Sequence, residues 1–252
     1  MNLLLEMRPR IWKKLTRTLT GTIFPLCCGI CGKEDFFART IGICRPCSEK
    51  PISNQEKDLL RCRVCSSPLN VKECRICSTR NIFFSEARFL RNRDELHAEI
   101  LNRIKKEYSY GPSIYLSTGA RRQFLKWMPE NLDACICLPS APAKWWGNSS
   151  TRPFHVCTEL YERAKEILQI PKLDVLEKLN RERQAGKSYS ERFFYARKSW
   201  KIKTNWIGKI PKNILLLDDI FTTGASINEV SRLLRDNGAE KILVLTYLRT
   251  LE

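Results

Sequence analysis

The chain has 252 residues, room for one large domain or two modest ones, and its 43% hydrophobic content excludes a fully disordered polymer. With 44 Lys and Arg against 27 Asp and Glu, the net charge of +17 predicts attraction to polyanions such as nucleic acid, phosphorylated metabolites or anionic lipid. No apolar run approaches the roughly 20 residues of a membrane span. Basic residues follow the Leu3-Leu4-Leu5 run rather than precede it, the reverse of a secretory signal, so a cytoplasmic chain is expected.

Residues 1–26 are expected to form an N-terminal helical segment. Ile11, Trp12, Leu15 and Leu19 recur at helical spacing within 8–24, and Pro25 ends the pattern. Nine of the twelve cysteines then fall between Cys27 and Cys77, in a stretch too poor in large apolar residues to fold without a staple. Cys28/Cys31, Cys44/Cys47, Cys62/Cys65 and Cys74/Cys77 are four CxxC pairs. One such turn aims two thiolates at one centre, and two complete a closed tetrahedral cage, so two structural Zn²⁺ sites are expected in a zinc-ribbon domain over 27–85. Disulfides and iron–sulfur clusters are the alternatives, and Cys27 competes with Cys28 as a ligand. Cys135, Cys137 and Cys157 lie on apolar segments and read as small buried side chains.

From 86 to 252 the pattern is that of an α/β domain. A charged helix is expected over 93–110 with Leu96, Ile100 and Ile104, then a β-prone run at 132–138. A helical stripe of Cys157, Leu160, Tyr161, Ala164 and Leu168 follows. The apolar run 214–217, a small-residue loop, a helix with Ile227, Val230, Leu233 and Leu234, Gly238 at its end and a strand at 242–247 form a βαβ unit. Such a unit implies a parallel sheet covered by helices. His97 and His155 are lone histidines with surface or core roles.

The strand carries Asp218 and Asp219 at its end, a carboxylate pair suited to a ribose diol or to a nearby ion such as Mg²⁺. Thr222-Thr223-Gly224-Ala225-Ser226 then presents hydroxyls and backbone N–H groups at a helix N-terminus, where a phosphate is favoured. Diol and phosphate a few ångströms apart describe a ribose 5-phosphate. The bland reading is a strand–turn–helix capped by Thr223 or Ser226, which leaves the paired acids unexplained.

This segment resembles the signature of the type I phosphoribosyltransferases. Their cosubstrate is 5-phosphoribosyl 1-pyrophosphate (PRPP) with Mg²⁺. The resemblance implies that fold, a parallel sheet with helices on both faces. It also places Asp218 and Asp219 on the ribose hydroxyls and Thr222, Thr223, Gly224, Ala225 and Ser226 on the 5-phosphate. Together with the paired CxxC motifs, the Phe24-Pro25 step before them and the basic stretch with Gln184 and Arg192, the chain is similar to the ComF family. These are competence-associated, phosphoribosyltransferase-like proteins with an N-terminal double zinc ribbon. Lys144, in the 140–144 loop that the resemblance assigns to pyrophosphate, and Arg152 join the implied PRPP-binding set. The family's Arg-Gly-Phe-Asn-Gln run stands here as Arg152-Pro153-Phe154-His155-Val156, keeping only the Arg and the Phe.

Residues 178–212 carry eleven Lys and Arg against Glu182 and Glu191, interleaved with Tyr189, Phe193, Phe194, Tyr195, Trp200 and Trp206. Cations for phosphates and rings for unstacked bases suit single-stranded DNA, with Lys198, Trp200, Lys201 and Lys203 as the expected contacts. A solvated charged surface over packed rings is the plainer alternative. Trp145 and Trp146 form a second aromatic pair. Two functions of different class follow. One is a binding protein of DNA uptake that holds PRPP or a nucleotide and single-stranded DNA, with helicase or recombination partners implied by the resemblance. The other is an enzyme moving ribose 5-phosphate from PRPP to a nitrogen acceptor.

Overall fold

The computed structural model describes residues 27–49, 60–69, 73–106, 110–127, 129–139, 156–179 and 189–250. The helix expected within 8–24 lies outside them, as do Lys144, Arg152, His155 and the Trp145–Trp146 pair.

Two short helices, α1 (Phe36–Ile41) and α2 (Arg45–Ser48), precede the first strand, β1 (Glu86–Asn92). Helices α3 (Glu95–Lys106) and α4 (Tyr110–Trp127) follow, then β2 (Ala134–Cys137), α5 (Val156–Leu168), β3 (Lys172–Leu173) and β4 (Leu176–Lys178). Helix α6 (Tyr189–Ser199) runs into β5 (Trp200–Ile202). The order ends with β6 (Asn213–Phe221), α7 (Ala225–Asp236) and β7 (Lys241–Arg249).

Five strands form one sheet in the order β1-β7-β6-β2-β3, and every neighbouring pair is parallel. The bare apolar run of β6 reflects burial on both faces. Leu215 and Leu217 point into a layer with α3, α4 and α5, whereas Ile214 and Leu216 point into one with α7. Strand β7 alternates in the same way, with Ile242 and Val244 against α7 and Leu243, Leu245 and Tyr247 on the other side. Helices therefore cover both faces. Cys135 and Cys157 are small buried members of the α5 layer. His97 is 2% exposed, with Nδ1 2.8 Å from both Asp94 carboxylate oxygens, a core role.

The described part of the helix expected over 93–110, α3, runs to Lys106, and α4, from Tyr110, carries Pro112 in its first turn, where a proline is accommodated. Helix α7 ends as the sequence implies. Gly238 has φ +121, and a Cβ there would stand 2.8 Å from the Ile210 carbonyl oxygen.

The two cysteine groups dock on different parts of the sheet domain. The first reaches the start of α4, where a Cβ on Gly42 would lie 1.8 Å from the Gly111 carbonyl oxygen. The second enters the main core, where Cys65 and Cys74 pack in the same cluster as Phe84, Trp200, Ile227 and Val244. Ala87 of β1 donates its N–H to the Val64 carbonyl at 2.7 Å, and Ser66 Oγ donates to the Ala87 carbonyl at 2.6 Å. Among the described residues no helix is long and apolar enough to cross a membrane.

Candidate functional site

Each cysteine group is built from two tight turns. In the first, Gly32 N–H donates to the Cys28 carbonyl and Ser48 N–H to the Cys44 carbonyl, so both sulfurs of each pair project to one side. In the second, Ser66 N–H donates to the Cys62 carbonyl and Ser78 N–H to the Cys74 carbonyl, repeating the design. Cys28, Cys31, Cys44 and Cys47 bring their sulfurs within 4.8 Å of one another, and so do Cys62, Cys65, Cys74 and Cys77. Edges of 3.7 Å (Cys31–Cys44), 3.8 Å (Cys62–Cys77) and 3.4 Å (Cys65–Cys74) are close to the edge of a zinc tetrahedron, about 3.8 Å for a Zn–S bond of about 2.3 Å. They are far longer than a disulfide, and none of the twelve cysteines forms one. Cys27 is exposed and stands outside the first tetrad, which resolves the choice in favour of Cys28. Both tetrads could hold zinc. Four thiols this close cannot all ionise alone. The hydrogen bond with Cys77 and the Ser67 hydroxyl hold the Cys65 thiol down to about 4, while that same bond and burial push the Cys77 thiol up. A dication removes the conflict by accepting all four thiolates.

The carboxylate pair stands at the C-terminal end of β6. Asp218 lies opposite Thr246 of β7, and Asp219 donates its N–H to Asp218 Oδ1 at 2.8 Å. Lys105, from the last turn of α3, forms an ion pair with Asp219. Burial and the neighbouring Asp219 charge push the Asp218 carboxyl up to about 8.

The chain then leaves the sheet through Phe221 and enters α7 at Gly224. With φ +73, Gly224 adopts the left-handed conformation, and a Cβ there would meet the Phe221 ring at 2.5 Å. Thr223 is 3% exposed, and its Oγ1 accepts the Ala225 N–H at 3.3 Å, so its hydroxyl serves the turn. Thr222 and Ser226 are half-buried. Behind the loop, Arg249 Nη1 donates to the Thr222 carbonyl at 3.2 Å and Arg80 Nη2 to the Thr223 carbonyl at 2.6 Å. The sequence reading missed Lys105, Arg80 and Arg249, because nothing in their local sequence links them to the partners they meet, Asp219, Thr223 and Thr222, the nearest of which is 27 residues away. Of the implied PRPP-binding residues, the structure brings together Asp218, Asp219 and 222–226.

The basic stretch departs from expectation at its ring. Trp200 is 6% exposed and packs in the main core, with Lys178 Nζ 5.1 Å from its ring centroid, so it offers no open face to a base. Strand β5 alternates, placing Trp200 and Ile202 inward and Lys201 outward. Its antiparallel partner lends acids that a linear charge count overlooks. Lys201 pairs with Glu177 at 3.1 Å, and Lys203 pairs with Asp174. Lys198 lies 4.3 Å from the Phe194 ring centroid, and Phe194 is the open ring, at 57% exposure.

Two expected outcomes follow from this geometry. Purified protein should carry about two zinc ions per chain by elemental analysis, and Cys47→Ser or Cys77→Ser should lower that number. Iron with sulfide, or no metal at all, would contradict the zinc assignment. The second outcome concerns Asp218. Its folded value near 8 lies above its ordinary 3.8, so the folded state binds its proton more tightly. That contribution to stability is fully present below 3.8 and is lost as the pH rises through 8. Asp218→Asn removes the titration, so its melting temperature relative to wild type should climb from pH 4 to pH 9, by about 3 °C for each kcal/mol recovered. A difference that is flat with pH would refute the buried, raised carboxyl.

No protein-family model matches the chain. Over 77 residues it is 42% identical to the competence protein ComFC of Streptococcus pneumoniae (strain ATCC BAA-255 / R6), a stretch that is 31% of this chain and 34% of the relative. The chain thus spans about a third of the length of the curated relative it matches. That match, beside the two CxxC-built cysteine tetrads, supports the resemblance to the ComF family.

Proposed function

We propose that this chain binds a phosphoribosyl ligand, PRPP with Mg²⁺ or a nucleotide, at the C-terminal end of β6. We place that site in a competence-associated protein of the cytoplasm that also holds single-stranded DNA. The carrying observation is the closeness of the Asp218–Asp219 pair to the Gly224 turn, on one strand end of a parallel sheet. Ligands of open parallel sheets sit outside such strand ends. In this reading the two carboxylates accept hydrogen bonds from the ribose hydroxyls. The 5-phosphate lies over the start of α7, where backbone N–H groups and the helix dipole favour an anion. Mg²⁺ supplies neutralisation of the pyrophosphate charge. Lys105, now paired with Asp219, becomes a cation beside the ribose when the diol takes its place. Lys144 and Arg152 complete the proposed set on the pyrophosphate side.

The DNA part rests on the net charge of +17 and on the α6–β5 edge. Lys198 and Lys201 are exposed there, Lys203 stands beside them, and Phe194 presents the ring. The name of the pneumococcal relative supports a role in competence, and handling of incoming DNA with helicase or recombination proteins is consistent with it.

Mg²⁺ and PRPP should raise the melting temperature of the wild type, since they bind the folded state alone. The Asp218→Asn, Asp219→Asn double variant should lose most of that shift, and an unchanged shift would remove the assignment. Release of pyrophosphate when a nucleobase is added would instead assign turnover. For DNA, anisotropy of a labelled single strand should fall steeply with salt. Replacing Lys198, Lys201 and Lys203 by Ala should weaken binding and flatten the slope, whereas Phe194→Ala should weaken it with little change of slope. Equal binding of duplex and single strand, indifferent to Phe194, would mark a merely sticky basic surface.

A further inference from the structure

Two guanidinium groups stand behind the β6–α7 loop, and each is tied to the second cysteine tetrad. Arg80 follows Cys77 by three residues and donates Nη2 to the Thr223 carbonyl at 2.6 Å. Its guanidinium lies 4.4 Å from the Phe193 ring centroid. Arg249, at the end of β7, is 2% exposed and donates Nη1 to the Thr222 carbonyl at 3.2 Å. Its Nη2 donates to Ser67 Oγ, and that oxygen lies 3.2 Å from Cys65 Sγ. The Arg249 guanidinium is stacked 4.0 Å from the centroid of Phe221, the ring beneath Gly224.

The segment after the tetrad is fastened to the same loop by α7. Asn228 Nδ2 donates to the Asn81 carbonyl at 3.0 Å, and Asn228 Oδ1 accepts the Phe83 N–H at 3.0 Å. Phe84 meets Phe221 edge to face, with centroids 6.0 Å apart. Tetrad, segment 80–84, loop and the first turn of α7 are therefore one packed unit. The first tetrad docks elsewhere, on α4.

The consequence lies in peptide geometry. No peptide bond among the described residues is cis, and in a trans peptide the C=O and N–H point in opposite directions. Anchoring the Thr222 carbonyl to Arg249 turns the Thr223 N–H away from Arg249. Anchoring the Thr223 carbonyl to Arg80 turns the Gly224 N–H away from Arg80. Both amides are then turned away from the two guanidinium groups, while Gly224 holds the loop tight against the Phe221 ring, where a Cβ would stand 2.5 Å away. A carbonyl bound by a permanent cation also polarises its own N–H into a better donor.

We propose that Arg80 and Arg249 are positioning residues that aim the Thr223 and Gly224 amides at the 5-phosphate, and that the second cysteine tetrad holds both arginines in place. The inference rests on the phosphoribosyl reading of this loop. It assigns the two tetrads different duties, since among the described residues only the second touches the loop proposed to hold the phosphate.

The test uses the full chain and ribose 5-phosphate, by calorimetry and by amide resonances of a ¹⁵N-labelled sample. Wild type should bind, with the Thr223 and Gly224 amides shifting on addition of ligand. Arg80→Ala should weaken binding about tenfold or more, roughly one lost charge-assisted hydrogen bond in effect. In that variant the Gly224 amide should lose its response while Thr223, held through Arg249, keeps it. A general loss of structure would not separate two neighbouring amides in this way. If the alanine variant does not fold, Arg80→Lys carries the same test, because it keeps the charge and loses the fork; a partial loss confined to Gly224 is expected. Wild-type affinity in these variants, with Gly224 still responding, would overturn the role of Arg80. A wild type that neither binds ribose 5-phosphate nor shifts either amide would overturn the loop reading itself, and this inference with it.

Discussion

Four sulfur atoms within 4.8 Å of one another are a charge problem before they are a structure. Deprotonated, they repel; protonated, they leave one thiol pushed up and its neighbour pulled down, as Cys77 and Cys65 are. Bound to a dication they become the staple that this cysteine-rich stretch needs, because it contributes few large apolar side chains of its own. The second tetrad matters more widely than the first. Its Cys65 and Cys74 are members of the core that also contains Ile214, Leu216 and Val230, so the cage is part of the sheet domain's packing.

That packing reaches the loop where β6 ends. Phe221 serves three neighbours at once. It receives Phe84 on its edge, Arg249 on its face and the bare backbone of Gly224. A side chain at 224 has nowhere to go, and glycine permits the left-handed turn from which α7 starts. On the same strand end, Asp218 is held at a raised pKa by burial and by Asp219, with Lys105 as the nearby cation. Two adjacent acids answered by one lysine at a buried edge are a local conflict of the kind found at functional sites. The proposed phosphoribosyl ligand is chemically matched to that arrangement, with hydroxyls for the carboxylates and a phosphate for the amides.

Much of this was legible because it is local. CxxC spacing forces both thiols to one side of a turn, and four hydrophobic residues ending in two acids and a small-residue loop read as strand, turn and helix without knowledge of their neighbours. What was not legible depends on partners distant in sequence. Arg80 and Thr223 lie 143 residues apart, and Arg80 on its own is one arginine among many. Helix α4 escaped notice because it buries a narrow stripe, Leu116, Ala120 and Phe124, and opens with a glycine and a proline. Trp200 looked like a stacking platform because it stands between Lys198 and Lys201. The alternation of β5 turns it inward, and Asp174 and Glu177 offset cations that the linear count left unopposed.

The central claim is that the β6–α7 loop and the second tetrad form one ligand-responsive unit, separate from the first. Hydrogen exchange of the full chain with and without Mg²⁺ and PRPP tests it most directly. The account predicts slowed exchange over 218–230 and over 80–85, with 27–49 unchanged. Exchange that is unaltered over 218–230, or protection confined to the first tetrad, would contradict it.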